Sequence, residues 1–127
     1  MSFVIKDFKY DDIIVNCNFD TKVSIISDDS GVGKTYLLDI LMGYCKVNHI
    51  PCKHYDYGHQ DIVLQDSGVV LVDRADLFLT DEHLAGLKSA GCSSVICMRN
   101  SCRLDTSGCG KYVLLPTERS IATKRYR

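Results

Sequence analysis

Residues 30–35, Ser-Gly-Val-Gly-Lys-Thr, bring two glycines, a lysine and hydroxyls together in a set that can hold a chain of phosphate groups. Gly31 and Gly33 reach backbone angles closed to other residues and keep side chains out of the way, so successive N–H groups can point at phosphate oxygens. Lys34 supplies a mobile point charge for the outer phosphates, and the Thr35 hydroxyl suits the oxygen shell of a magnesium ion. The apolar run Val23-Ser24-Ile25-Ile26 comes before this segment, and the helix-like Tyr36-Leu37-Leu38-Asp39-Ile40-Leu41 comes after it. The partly positive start of that helix would add to the anion site. Ser30, Gly31, Val32, Gly33, Lys34, Thr35 and Tyr36 are therefore the candidate phosphate-binding residues.

A magnesium ion held there needs a carboxylate from a neighbouring buried strand. Gly68-Val69-Val70-Leu71-Val72-Asp73 supplies one, because four consecutive β-favouring apolar residues read as a strand buried on both faces with the acid at its carboxyl end. Asp73 then either joins Thr35 at the metal or closes the strand as a turn residue. The next residue, Arg74, cannot act as a base, since its pKa exceeds about 12. Asp76 can orient a water beside Asp73, cap a short helix or pair with Arg74. A further strand over 94–98 ends in Arg99-Asn100. Arg99 and Arg103 are either phosphate contacts or solvated surface charges.

The strand, the 30–35 loop and the helix together resemble the Walker A motif of P-loop nucleoside triphosphatases, G-x-x-x-x-G-K-[ST], and residues 68–73 look like a Walker B strand. Asp28 stands at the position of the motif's first glycine. The resemblance runs from about Val23 to Leu115, and the hairpin-like entry before it is similar to that of ABC-like ATPases. It implies an α/β fold of three layers, with a mainly parallel central sheet and an N-terminal antiparallel hairpin. It also implies Mg2+ with ATP at the carboxyl edge of the sheet, with Thr35 and Asp73 at the metal. In the additional-strand class of these ATPases, a polar residue ending the next strand senses the terminal phosphate, a place taken here by Asn100, which also suits a turn. Lys34, Asp73, Asp76 and Asn100 form the implied catalytic set. Many relatives place a glutamate where Arg74 stands. No Leu-Ser-Gly-Gly-Gln stretch supports a transporter-type dimer, and no Asn-Lys-x-Asp stretch supports guanine, so adenine is favoured by default. The expected function is a slow Mg-dependent ATPase acting with a protein partner or as an oligomer. The alternatives are a regulatory module that does not hydrolyse nucleotide and, as a third reading, a small phosphotransferase whose lid arginine would have to be Arg103.

The elements that must position these residues follow from periodicity. Residues 3–8 and 13–19 read as strands separated by a turn at Asp11-Asp12, a hairpin expected to pack onto the sheet. Leu37, Leu38, Leu41 and Met42 recur at helical spacing, and Cys45 can extend their stripe. The stretch from Pro51 through Tyr57 suits another strand. Thr80 or Asp81 caps a helix whose buried side is Leu84, Leu87 and Ala90. Residues 112–115 form a last strand, stopped by Pro116.

At 127 residues and 46% hydrophobic, the chain suits one domain, residues 1–127, with 1–20 as the hairpin and 116–127 as a basic tail. From Lys111 onward five basic residues face one acid, although the net charge is −1. That tail can contact nucleic acid, with Tyr126 stacking, or lend an arginine to a neighbour, or simply remain solvated. The seven cysteines are odd in number and include no Cys-x-x-Cys pair, which points to reduced thiols and a cytoplasmic location. Cys17, Cys45 and Cys97 read as core residues, and the His49, Cys52, His54, His59 cluster matches no common zinc spacing. No apolar run approaches the ~18 residues a bilayer requires, so no membrane partner is expected.

Overall fold

A computed structural model describes residues 3–27, 33–58, 62–99 and 103–125. Its strands are β1 (Phe3–Tyr10), β2 (Ile13–Phe19), β3 (Val23–Ser27), β4 (Cys52–Tyr55), β5 (Val69–Val72), β6 (Ser93–Met98), β7 (Gly110–Pro116) and β8 (Ser120–Arg125). Its helices are α1 (Lys34–Val47) and α2 (Asp81–Ser89), with a 3₁₀ turn at Ala75–Leu77. All strands join one sheet in the order β1-β2-β8-β7-β3-β6-β5-β4.

Burial separates two kinds of strand. Every residue of β5 and β6 is buried, and so is every residue of β3 but its last, as expected for parallel strands covered on both faces. β1 and β2 alternate between core and solvent instead. In β1 that alternation slips between Ile5 and Phe8, where the register shifts and Asp7 takes a φ of 52°. The inserted residue returns Phe8 to the face it shares with Ile5, which is how a bulge keeps an apolar set on one side.

The sheet has two cores. Val69 and Leu71 face α1 together with Leu37, Leu38, Ile40, Leu41 and Cys45, while Val70 and Val72 face Leu84 and Leu87 of α2. The edge strands β1 and β4 both contact α1, so the sheet wraps around this helix. That wrapping buries a wider arc of α1 than the sequence stripe indicates: Ile40 is enclosed, whereas Met42 is 38% exposed. On α2 the capping expectation is met, since Thr80 accepts the His83 amide at 3.1 Å and His83 accepts the Thr80 amide at 3.2 Å.

The expected three-layer α/β P-loop fold is not what the chain forms. Its eight strands make a mixed sheet curled into a half-barrel, accompanied by two helices. A layered doubly wound sheet needs a helix in most crossovers, but among the described residues the connections from β4 to β5 and from β6 to β7 hold no α-helix. The N-terminal hairpin also does not pack onto the sheet. It is part of the sheet, because β8 runs antiparallel to β7 and parallel to β2 and joins them. Residues 120–125, assigned by sequence to a basic tail, are the strand that makes this join, and Arg125 pairs with Asp20 at 3.4 Å.

Where β2 turns into β3, the Tyr112 hydroxyl accepts the Asp20 amide at 3.0 Å and donates to the Asp20 carboxylate. This bond from Tyr112 is the main cause that holds the Asp20 carboxyl below its ordinary value of 3.8. A carboxyl lowered in the folded state adds stability above that ordinary value and loses it as pH falls through the folded one. Tyr112→Phe is expected to lower the melting midpoint by ~3–5 °C near neutral pH. The gap from wild type should narrow as pH drops below 3.8, as read by thermal melts across a pH series. A gap that does not change with pH would remove Asp20 from the account.

Candidate functional site

The carboxyl ends of β3, β5 and β6 lie side by side, and α1 begins above them. Gly33 precedes α1 with φ 88° and ψ 32°, a left-handed conformation that suits glycine, and it has no side chain to cap the helix amides. The first turn of α1 contains no acid, so its positive end is not neutralised within the helix. An anion could therefore meet the orphan N–H groups of that turn. Asp28, Ser30, Gly31 and Val32 lie outside the described residues, as does Asn100.

Thr35 and Asp73, 38 positions apart in the chain, meet here. The Thr35 hydroxyl donates to Asp73 Oδ2 at 2.7 Å. Asp73 is only 4% exposed, and its Oδ1 accepts the Arg74 amide at 2.9 Å. Cys97 of the neighbouring β6 is fully buried, and its thiol is pushed up by burial first and by Asp73 second, with Lys34 opposing. Of the expected residues, the structure brings Thr35 and Asp73 into contact, and Lys34 is the residue before Thr35 at the start of α1.

A hydroxyl and a carboxylate at this separation are hard oxygen donors of the kind magnesium takes. One or two protein oxygens suffice for an ion that otherwise keeps water and phosphate oxygens. The donor set fits Mg2+ bound with a nucleotide.

Two other expected residues are described, Tyr36 and Asp76. Tyr36 turns away from the site, its ring set edge-on to Tyr10 at 6.0 Å and its hydroxyl donating to Asp11 at 3.3 Å. Burial, then the Asp11 charge, raises its pKa. Asp76 Oδ1 accepts the Arg99 amide at 3.1 Å, and Arg103 donates to the Asp76 carbonyl at 2.9 Å, so these three residues tie the 3₁₀ turn to the end of β6.

Sequence reasoning missed Asp56. The Asp73 amide donates to the Tyr55 carbonyl at 2.8 Å, which aligns the ends of β4 and β5 and sets Asp56 beside Arg74. The guanidinium grips the Asp56 carboxylate through Nε and Nη2, both at 2.8 Å. This bond, before any other cause, holds the Asp56 carboxyl below the usual carboxylate range and raises Arg74. Arg74 itself adopts φ 49° to make the turn. An available signal was an acid near the end of the strand expected through Tyr57, because parallel strands finish at one edge.

No helix among the described residues is long and apolar enough to cross a membrane. The chain matches no protein-family model, and no curated protein or solved structure is found to match it.

Proposed function

We propose that the chain binds a magnesium–nucleoside triphosphate, with ATP the favoured nucleotide, at the carboxyl ends of β3, β5 and β6, and that it hydrolyses the nucleotide slowly. The observation that carries this reading is the 2.7 Å contact of Thr35 with Asp73. It joins the last residue of a glycine-rich, lysine-bearing segment to the carboxylate that a metal at that segment would require. Lys34 and the first amides of α1 meet the phosphates, while Thr35 and Asp73 hold the metal. Bound magnesium would neutralise charge on the transferring phosphate, and the protein's part is positioning and electrostatic stabilisation.

Hydrolysis also needs a side chain that orients water, and Asp56, next after β4, can take that role beside Arg74. Its bond to Arg74 must yield for it to act, so in this reading turnover is slow and a partner or a second copy draws Arg74 away. The non-hydrolysing module is the second reading, favoured by that same Arg74 grip on Asp56. Exposed Lys111, Arg119 and Lys124 are the basic residues through which nucleic acid could bind.

Calorimetric titration of wild-type protein with MgATP and MgGTP tests the binding claim. Saturable binding supports it, and no heat at millimolar nucleotide sinks it. For the chemistry, Asp56→Asn is expected to cut phosphate release by about 100-fold while nucleotide affinity changes little. Equal rates in mutant and wild type would take Asp56 out of the mechanism.

A further inference from the structure

The face of the sheet opposite α1 is only half covered. α2 packs on it over β3, β6, β5 and β4, against Ile25, Ile96, Val70 and Tyr55 in turn. The remaining four strands carry the same face onward as the outside of the curl. There Val4, Ile14, Val113 and Leu115 belong to neither core among the described residues. We propose that this open face of β1, β2, β8 and β7 binds a single strand of nucleic acid.

Strand register places the charges. Lys111 lies beside Ile25 of β3 and two residues before Val113, whose partner across the ladder is Lys124. Lys9 is opposite Ile14, and Lys6 follows the core residue Ile5. Alternation therefore sends all four lysines to the open face, where each is exposed. Strands about 4.8 Å apart spread them over roughly 14 Å of sheet width. No acid occupies the alternating positions between them, although the chain carries a net charge of −1. Asp7 stands at the bulge beside this face, and its amide donates to Asn16 Oδ1 at 2.9 Å. With its carbonyl oxygen taken, Asn16 has its NH2 group to offer.

Ammonium and amide NH2 groups are donors, and their complement is a polyanion that only accepts, such as a phosphodiester backbone. The exposed Val4, Ile14 and Leu115 lie between the lysines. Unpaired bases have apolar faces to lay on such side chains, whereas stacking in a duplex hides those faces. Two other occupants fit less well. A second copy related by a two-fold axis would set lysine against lysine. A lipid surface would take Asn16 and Asn18, the register partners of Ala122 and Val4, out of water without partners.

This assignment deepens the contact with nucleic acid proposed for Lys111 and Lys124 and rests on that contact alone, since Lys34, Thr35 and Asp73 lie off this face. The test is fluorescence anisotropy of short labelled oligothymidylate and oligouridylate with the full chain, in the absence of nucleotide. Saturable binding is expected, with log affinity falling against log salt at a slope of about −2 to −3. A duplex of the same length should bind at least about ten-fold more weakly. Lys111→Gln and Lys124→Gln should each weaken binding by about three- to ten-fold and flatten the slope by about 0.7, with melting midpoints unchanged. Lys46→Gln, in the last turn of α1 on the other side of the sheet, is the control and should bind as wild type does. If a face variant melts early, the wild-type slope and the duplex comparison decide the matter. No binding to either oligomer, an equal loss in Lys46→Gln, equal affinity for duplex, or displacement of the oligomer by polyglutamate or anionic vesicles at matched charge would overturn the proposal. Oligomer binding in a chain that does not bind MgATP would sink the nucleotide reading only, and the reverse result would sink this one only.

Discussion

Lys34→Ala is expected to weaken MgATP binding by on the order of a hundredfold or more, as read by calorimetric titration. A triphosphate brings several negative charges to a site where the described residues offer the amides of α1's first turn and one lysine, with Asp73 close by and of the wrong sign. Without the Lys34 cation, the carboxylate repels the ligand unless magnesium intervenes, and the amides alone cannot offset that. Lys34 is the first residue of α1 and only half-buried, and alanine is the best helix former, so the melting midpoint is the check on the fold. Equal affinity in the two proteins would refute the phosphate-site reading, and weaker binding with a lower melting midpoint would point to damage in the fold instead.

Gly68→Ala is expected to destabilise the fold by about 3 kcal/mol or more. Gly68 has φ +86°, and a Cβ there would lie 2.2 Å from the Pro51 carbonyl oxygen, an atom of the backbone that cannot swing aside. That oxygen accepts the Val69 amide at 2.9 Å, and the Gly68 carbonyl accepts the Ser93 amide at 2.9 Å. One glycine thus starts the pairing of β4, β5 and β6 together. Urea titration should show the loss, with a melting midpoint lower by roughly 10 °C. Gly108→Ala is the control: φ is +80° there too, but nothing lies within 4 Å of the added carbon, so about 1 kcal/mol is expected. Equal costs at the two positions would show that strain in φ, not the clash with Pro51, sets the price.

The contrast between these positions mirrors what could be read in the chain. The runs that became β3, β5 and β6 were legible because short runs of consecutive β-favouring apolar residues bounded by turn residues read as buried strands. Thr80 was legible as a helix start because its hydroxyl suits the orphan amides of a first turn. β8 was not legible, since Ile121, Ala122 and Thr123 sit among bases and its apolar face has meaning only once β7 and β2 lie on either side. Ile40 was missed because a straight stripe underestimates how much of α1 a curved sheet covers, while Met42, inside the expected stripe, is left exposed. Asp56 went unnoticed because its neighbour in space, Arg74, is 18 positions away in sequence.

By itself the sequence determined local chemistry: a glycine-lysine-threonine segment between a buried strand and a helix, an acid ending a second buried strand, and the position of a helix cap. These depend on residue type and spacing over a few positions, where backbone sterics and hydrogen bonding act without reference to the rest of the chain. The tertiary structure alone decided that the sheet is mixed and curls around α1, that Thr35 reaches Asp73, and that Arg74 grips Asp56. Each of these is set by strand order, which in this chain runs β1-β2-β8-β7-β3-β6-β5-β4. Such an order follows from which apolar faces can be buried together across long separations, a property of the whole chain that no local window contains.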